Sequence, residues 1–535
     1  MAFVEGTGDD PSRSIQLNFD FRFSGQFNPL LDWLTREIVR FHEDELGRPR
    51  PNTINQISTT IDCLLANLLN AHRISSACFV AISMTRGEYT RSQYQQSHIG
   101  YDNLVRVVEF LRNSTPPYII FHRGFHDRRG GRHVGRVSRI KGTERLLNLI
   151  RGYQHQVDQG LLNRGEFNMN AVIYDIGQYT HYNPLPAAGR IAVPASTTSY
   201  VSTSDVIRLK NADGDLVEYD NTDVTNGMRE RLTRWNEFTS RHHWIDLLVS
   251  DDELEHLYER NPEEELQRDA FSFGDDPQGP QYVDLTSVRL HRVFNRESFE
   301  KGGRFYGGWW QRVPAKYRRY ITINGHPTKE FDYSNLHPAM LYARRGLPLA
   351  EDAYSLPDID RAYRSLIKAT FFKLVNALEG QRIRPPRDDA LPPGVTWAQL
   401  QEAVREKHAP IAQDLNTGVG LELQRVDSDI AEQAMWTMMA ADILILPVHD
   451  SFITYHGADE RLLAEMRRAY RDRMQAEINV DADPTFFEDV GEEAPEWAGY
   501  DFIDNRQAQP GYEAYRLRRA EFFHTRDESW RYRFG

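Results

Sequence analysis

Residues 302–342 read GGRFYGGWWQRVPAKYRRYITINGHPTKEFDYSNLHPAMLY, and the fold turns on where this stretch changes period. Ile321, Ile323 and Phe331 deliver the chain as a strand to Asp332. Beyond it Leu336, Met340 and Leu341 recur at the spacing of one helix face, so Asp332 falls at a strand-to-helix junction that opens on a cleft. Alone, an acid there caps the next helix as readily as it does chemistry. A second acid changes the reading. Asp450 lies in ILILPVHDSFITY, residues 443–455, where an apolar strand breaks at His449-Asp450-Ser451 and resumes at Phe452-Ile453. That pattern predicts a tight hairpin with an acid at its tip. Two carboxylates on neighbouring strands are the protein's share of a two-metal phosphoryl-transfer site, in which cations roughly 4 Å apart serve the attacking and leaving oxygens.

The bulk composition bounds the rest. A chain of 535 residues has room for about three domains. No apolar run approaches the roughly 18 residues of a membrane span, and the opening MAFVEGTGDD lacks a basic and apolar leader. Two cysteines, Cys63 and Cys78, supply neither a disulfide framework nor a zinc site, and the expected setting is a reducing cytoplasm. The net charge of -13 does not exclude a nucleic-acid partner, because phosphate affinity follows local clusters of Lys and Arg rather than their sum.

One such cluster lies in the first third. Helices are expected at 28–43, from Ile57 and at 101–113, followed by a strand in PPYIIFHRGF, a loop HDRRGGRH, a strand in HVGRVSRI and a helix from Gly142. Helices followed by a basic-tipped hairpin form the order of a winged helix-turn-helix. Nine Lys or Arg face two acids between Phe121 and Arg151, with Arg128, Arg129 and Arg132 at the tip as candidate nucleic-acid contacts. A solvated surface hairpin has the same composition, and both readings stand. Residues 1–160 are thus expected to form a helical, winged-helix-like domain, and 161–295 a linking, thumb-like region. That region holds a hairpin in VIRLKNADGDLVEY and a helix from Met228 toward Leu248. The acidic run 251–269 suits a solvated helix face and 273–281 a linker. Residues 296–480 would be the catalytic core, and 481–535 an acidic segment with a basic-aromatic tail.

Within that core Arg364, Lys368, Phe372 and Asn376 recur every fourth residue on a helix expected to stop near Gly380. A stripe of two cations and an aromatic suits a triphosphate with a base stacked beyond it; a charged rim beside a core stripe is the plainer alternative.

The order of these motifs resembles family A nucleic-acid polymerases, the group of bacterial DNA polymerase I and the single-subunit phage-type RNA polymerases. DYSNLHPAMLYA is similar to motif A, the Arg364-Lys368-Phe372 register to motif B and PVHDSF to motif C. GRFYGGWWQRVP resembles the segment before motif A that touches primer and template. The resemblance covers about 296–480 and implies an α+β, right-hand palm, fingers and thumb. It implies two Mg2+ ions, with Mn2+ as a substitute, on Asp332 and Asp450. Lys368 and Arg364 would bind the incoming nucleoside triphosphate, with Lys368 protonating the pyrophosphate. Phe372 would pack on sugar and base, Arg304 and Gln311 would contact primer or template, and His449 the primer end. Tyr333 and His337, from the same motif, would line the nucleotide site.

Two positions depart from the family pattern. Asn376 stands where a Tyr is usual, and His337 where DNA enzymes carry the Glu that crowds a ribose 2'-hydroxyl. A His ring can fill that role and points to deoxynucleotides, whereas His-Asp-Ser is the RNA polymerases' form of motif C. The resemblance therefore implies a template-directed nucleotidyltransferase acting on a DNA primer-template, in the manner of a phage or mobile-element replication enzyme. An RNA polymerase or primase with the same palm stays open, with RNA as a further partner. So does an inactive, nucleic-acid-binding replication initiator or defence scaffold.

Overall fold

The computed structural model describes residues 14–19, 21–23, 27–74, 76–89, 93–94, 99–127, 134–158, 198–200, 205–249, 283, 285, 287–349, 351–385 and 391–483. The tip residues Arg128, Arg129 and Arg132, the acidic run 251–269 and the tail beyond Asp483 lie outside the described residues. The protein is mixed α and β. Its described residues bury two apolar cores, one drawn from Ile15 to Tyr153 and one from Ile207 to Ile478.

The first core lies around a four-stranded sheet built from β1 (Ser14–Gln16), β2 (Phe79–Ile82), β3 (Ile119–His122) and β4 (Ser138–Gly142). Helices α1 (Asn28–Phe41), α2 (Pro51–Ile74), α3 (Tyr101–Asn113) and α4 (Glu144–Asp158) contribute the rest of it. The strand order is β1-β2-β4-β3, with β1 parallel to β2 and the other pairs antiparallel. This differs from the winged-helix expectation. A wing is a hairpin set beside its helices, whereas β4 carries β3 on one edge and β2 on the other, with Ile140 opposite Val80 and both buried. Three cations of this stretch lean on their own chain. Arg145 lies 3.9 Å from the centre of the Tyr118 ring and Lys141 5.2 Å from that of Phe79, while Arg151 donates to Asn148.

The second core starts well before the expected boundary at 296. It takes in β5 (Ile207–Leu209) and α5 (Asp223–His242), the latter begun by a capping box between Thr222 and Thr225. The helix does not run on to Leu248. His243 turns extended, and β6 (Ile245–Leu247) pairs with β9 (Ile321–Ile323) at the edge of the main sheet. β7 (His291–Asn295) and β8 (Ser298–Tyr306) form a hairpin beside β5, which joins β7 in parallel rather than closing a full hairpin at Asp213-Gly214.

The main sheet runs β6-β9-β10-β12-β11, where β10 is His326–Tyr333, β11 Ile445–Val448 and β12 Ser451–Tyr455. β9 and β10 turn at Asn324-Gly325, both at positive φ, the requirement of a two-residue hairpin whose twist matches its strands. The far end of β10 is joined by β13 (Val480–Ala482). Helices α6 (Leu336–Arg344), α7 (Arg364–Asn376), α8 (Trp397–Lys407), α9 (Gly420–Ala440) and α10 (Asp459–Met474) supply most of the remaining core. No helix among the described residues is long and apolar enough to cross a membrane.

Candidate active site

β10 and β12 are antiparallel with Asp332 directly opposite Ser451. Asp450, one residue earlier, therefore lies beside Asp332 at the same end of the sheet. Val448 and Ser451 close the β11–β12 pair, so His449 and Asp450 alone make the turn. His449 takes a φ of 57°, a left-handed conformation that costs a non-glycine residue on the order of 1 kcal/mol. Strand alternation decides what faces the cleft. Asp332 keeps solvent contact, whereas Tyr333 points to the other face, where its buried hydroxyl donates to the Met466 carbonyl of α10 at 2.7 Å. Tyr333 is thus a packing residue, and the nucleotide role expected for it does not match its position.

The two carboxyls are pushed apart in acidity. Surrounding protein and then the charge of Asp450 hold Asp332 well above the usual carboxylate range, against the pull of Lys368. Burial pushes Asp450 upward too, but Arg304, Lys368, His337 and His449 together hold it below that range. Paired acids with divergent affinities for protons are a mark of functional sites. Lys368 acts on both from α7, as the helical stripe anticipated.

The rest of the stripe differs from expectation. Arg364 donates to both oxygens of Asp352, at 2.7 and 2.9 Å, which holds the Asp352 carboxyl below its usual range. Phe372 is buried with its ring 5.4 Å from that of His337. Asn376 ends the helix by donating to the Phe372 carbonyl at 2.9 Å and lies against Gly420, where a Cβ would collide with its Oδ1.

Three residues assigned to primer and template also sit elsewhere. Gln311 donates to the carbonyls of Phe305 and Pro447, and Trp310 Nε1 to Pro447 as well, so both brace the strand that leads to Asp450. His449 packs edge-on to Tyr306, and burial, reinforced by Arg304, lowers its pKa to about 4. Arg304 is only 6% exposed and donates through Nε and Nη2 to Asp427 of α9. His337, 4% exposed, sets its Nε2 2.9 Å from the same Asp427 and 3.3 Å from Arg304 Nη2, and its buried Nδ1 has no partner among the described residues. Arg304 reaches this place because Gly303, at φ 88°, lets β8 press on Phe294 and Ser428; a Cβ there would lie under 3 Å from both.

Two residues of the site escaped the sequence reading. Asp427, 3% exposed, ties Arg304 to His337. Tyr354 lies in a loop, with Arg364 at 5.2 Å and Lys368 at 5.9 Å from its ring centre. Burial and the charge of Asp450 raise its pKa, and its hydroxyl makes no hydrogen bond among the described residues.

Asp332 and Asp450 offer only oxygen donors, the chemistry that suits Mg2+ or Mn2+. Among the described residues no three His, Cys, Asp or Glu converge into a complete cage, so substrate or water oxygens must finish any coordination sphere here.

No family model matches the chain, and no curated protein does. Among solved structures it is matched to the POL domain of Pol1 from M. smegmatis in complex with DNA primer-template and dNTP, at 17% identity and a TM-score of 0.22. That match covers 37% of this chain and 48% of the other, so the chain spans about half the length of the structure it matches.

Proposed function

We propose that this protein is a template-directed nucleotidyltransferase, a family A-like DNA polymerase that extends the 3'-hydroxyl of a DNA primer with nucleoside triphosphates. The observation that carries the reading is the β10–β12 register, which sets Asp332 beside Asp450 with Lys368 acting on both. The order of the motifs along the chain supports it.

Asp332 and Asp450 would hold two Mg2+ ions, which when bound supply charge neutralisation for the attacking and leaving oxygens. Lys368 faces the two acids and would neutralise the triphosphate and donate a proton to the departing pyrophosphate. Tyr354 packs its ring against Arg364 and Lys368, and its hydroxyl would donate to a phosphate oxygen. Arg364 would exchange Asp352 for a phosphate, a bidentate anion for another. Chemistry of this kind rests on positioning and charge rather than on covalent help from the protein.

The test is extension of a primed DNA template by the purified protein in Mg2+ or Mn2+, with deoxynucleotides and ribonucleotides in parallel. Asp332→Asn and Asp450→Asn are each expected to abolish incorporation. Undiminished extension by either variant would remove the site. Unprimed synthesis from ribonucleotides would make the enzyme a primase or RNA polymerase, and nucleic-acid binding without incorporation would make it a scaffold.

A further inference from the structure

Arg304 stands on β8 two residues before Tyr306, whose ring centre is 6.0 Å from that of His449, the neighbour of Asp450, and its charge acts on Asp450, yet its side-chain contacts are with Asp427 and His337. Asp427 stands on the buried side of α9, a helix position where an ionised carboxylate survives only with partners. Among the described residues it has two, the Arg304 guanidinium and His337 Nε2. With a neutral side chain in place of Asp427, the anion acting most strongly on the buried guanidinium among the described residues would be Asp450. An arginine paired with Asp450 would take the oxygens that a divalent cation needs.

We propose that Asp427 is a positioning residue that anchors Arg304 away from Asp450 and so keeps the Asp450 carboxylate open to a metal ion. This rests on the reading of Asp332 and Asp450 as metal ligands. It assigns Asp427 no contact with substrate. His337, bonded to the same oxygen and 3.3 Å from Arg304 Nη2, helps fix the direction of the Asp427 carboxylate, as outer partners of metal sites commonly do.

The experiment is direct Mn2+ binding to the full chain, read by electron paramagnetic resonance or calorimetry without nucleotide, with Asp332→Asn as the ligand-loss control. Asp427→Asn is expected to weaken Mn2+ binding by about 10- to 100-fold, the usual effect of losing an outer partner. Removing the arginine as well should reverse this. Arg304→Met/Asp427→Leu replaces the pair with apolar side chains, an exchange that buried ion pairs tolerate. It is expected to bind Mn2+ within about threefold of wild type, because the buried guanidinium that would compete is gone. Arg304→Met alone should bind at least as tightly as wild type.

A double variant as weak as Asp427→Asn, or an Arg304→Met variant weaker than wild type, would overturn the proposal, since either result means that the pair builds the site rather than clearing it. Wild-type binding in Asp427→Asn would overturn it too. Should Asp427→Asn fail to fold, Arg304→Met still decides by the direction of its change. Should wild type and Asp332→Asn be equally unable to bind Mn2+, the metal-ligand reading itself is lost, an outcome distinct from the others.

Discussion

Replacing Asp332 by Asn separates the charge of the site from its shape, and its effect on stability should change sign with a divalent cation. Asp332 stands on β10 opposite Ser451, and Asp450 is the turn residue just before Ser451. At a separation of about 6 Å and an effective dielectric of about 20, two unit charges repel by about 3 kcal/mol. Solvent reaches Asp332 and screens much of this, leaving about 1 kcal/mol against the metal-free fold. Asp332→Asn should therefore melt about 2 °C higher than wild type in chelator. The pH dependence follows from the same shift. Because the surrounding protein and Asp450 raise the folded-state pKa above the unfolded value of 3.8, wild-type stability falls as pH rises from that value to the folded one and stays low above it. The variant lacks that slope. With Mg2+ at about 100 times its dissociation constant, wild type gains about 2.7 kcal/mol and overtakes a variant that has lost a ligand. Melts in chelator and in excess Mg2+ or Mn2+, followed by near-ultraviolet dichroism, would show the crossing. A variant less stable than wild type in chelator, or a wild type indifferent to both cations, would refute the argument.

Tyr354→Phe keeps the ring beneath Arg364 and Lys368 but removes the hydroxyl, and is expected to lower kcat/KM for nucleoside triphosphate by about tenfold, the worth of a hydrogen bond to a charged group. An unchanged melting temperature with that loss would locate the effect in substrate contact. Arg318→Met strips both guanidinium bonds from Glu330, which is buried, and should cost about 3 kcal/mol in urea unfolding. Adding Glu330→Leu should restore most of it. His408 is buried, bonded to the Ala353 carbonyl, and burial lowers its pKa to about 4 from 6.5. Its contribution is fully present above pH 6.5 and is lost as pH falls toward 4, about 3 kcal/mol in all, so His408→Asn should flatten the acid limb of urea midpoints measured between pH 7 and 4.5.

The parts of this architecture that could be read in advance are those written in local period. Helix α6 and the hairpin around Asp450 announce themselves by three-and-four spacing and by alternation, and the structure places them as expected, whereas the one strand expected from Ile321 to Asp332 is broken at Asn324-Gly325 into β9 and β10. What local period cannot show is which strand a segment pairs with. The β3–β4 hairpin looks the same in sequence whether it stands alone as a wing or lies in a sheet, because its other neighbours, at 14–16 and 79–82, are far off in the chain. Residues 245–247 are too short to display a period of their own, so they read as the tail of the helix before them.

Asp427 is a different kind of miss, because the signal was present. Leu423, Asp427, Ile430, Ala431 and Ala434 share the buried stripe of α9, and an acid in the middle of such a stripe demands a cation from elsewhere. The sequence holds a matching demand in Arg304, which follows Gly302-Gly303 in a strand and is flanked by apolar and aromatic residues on its other side. Each buried charge is unfavourable alone, so the two are best read as one unit. Taken that way, Arg304 could not have been an outward contact for primer or template. Its assignment there came from a short stretch that resembles a family motif, and a motif carries residue types and order without the partner that decides where a guanidinium points. The pair also explains why the acids of the site differ. Asp450 has an anchored cation at its side and Asp332 does not, and the divergence in their proton affinities follows from that asymmetry.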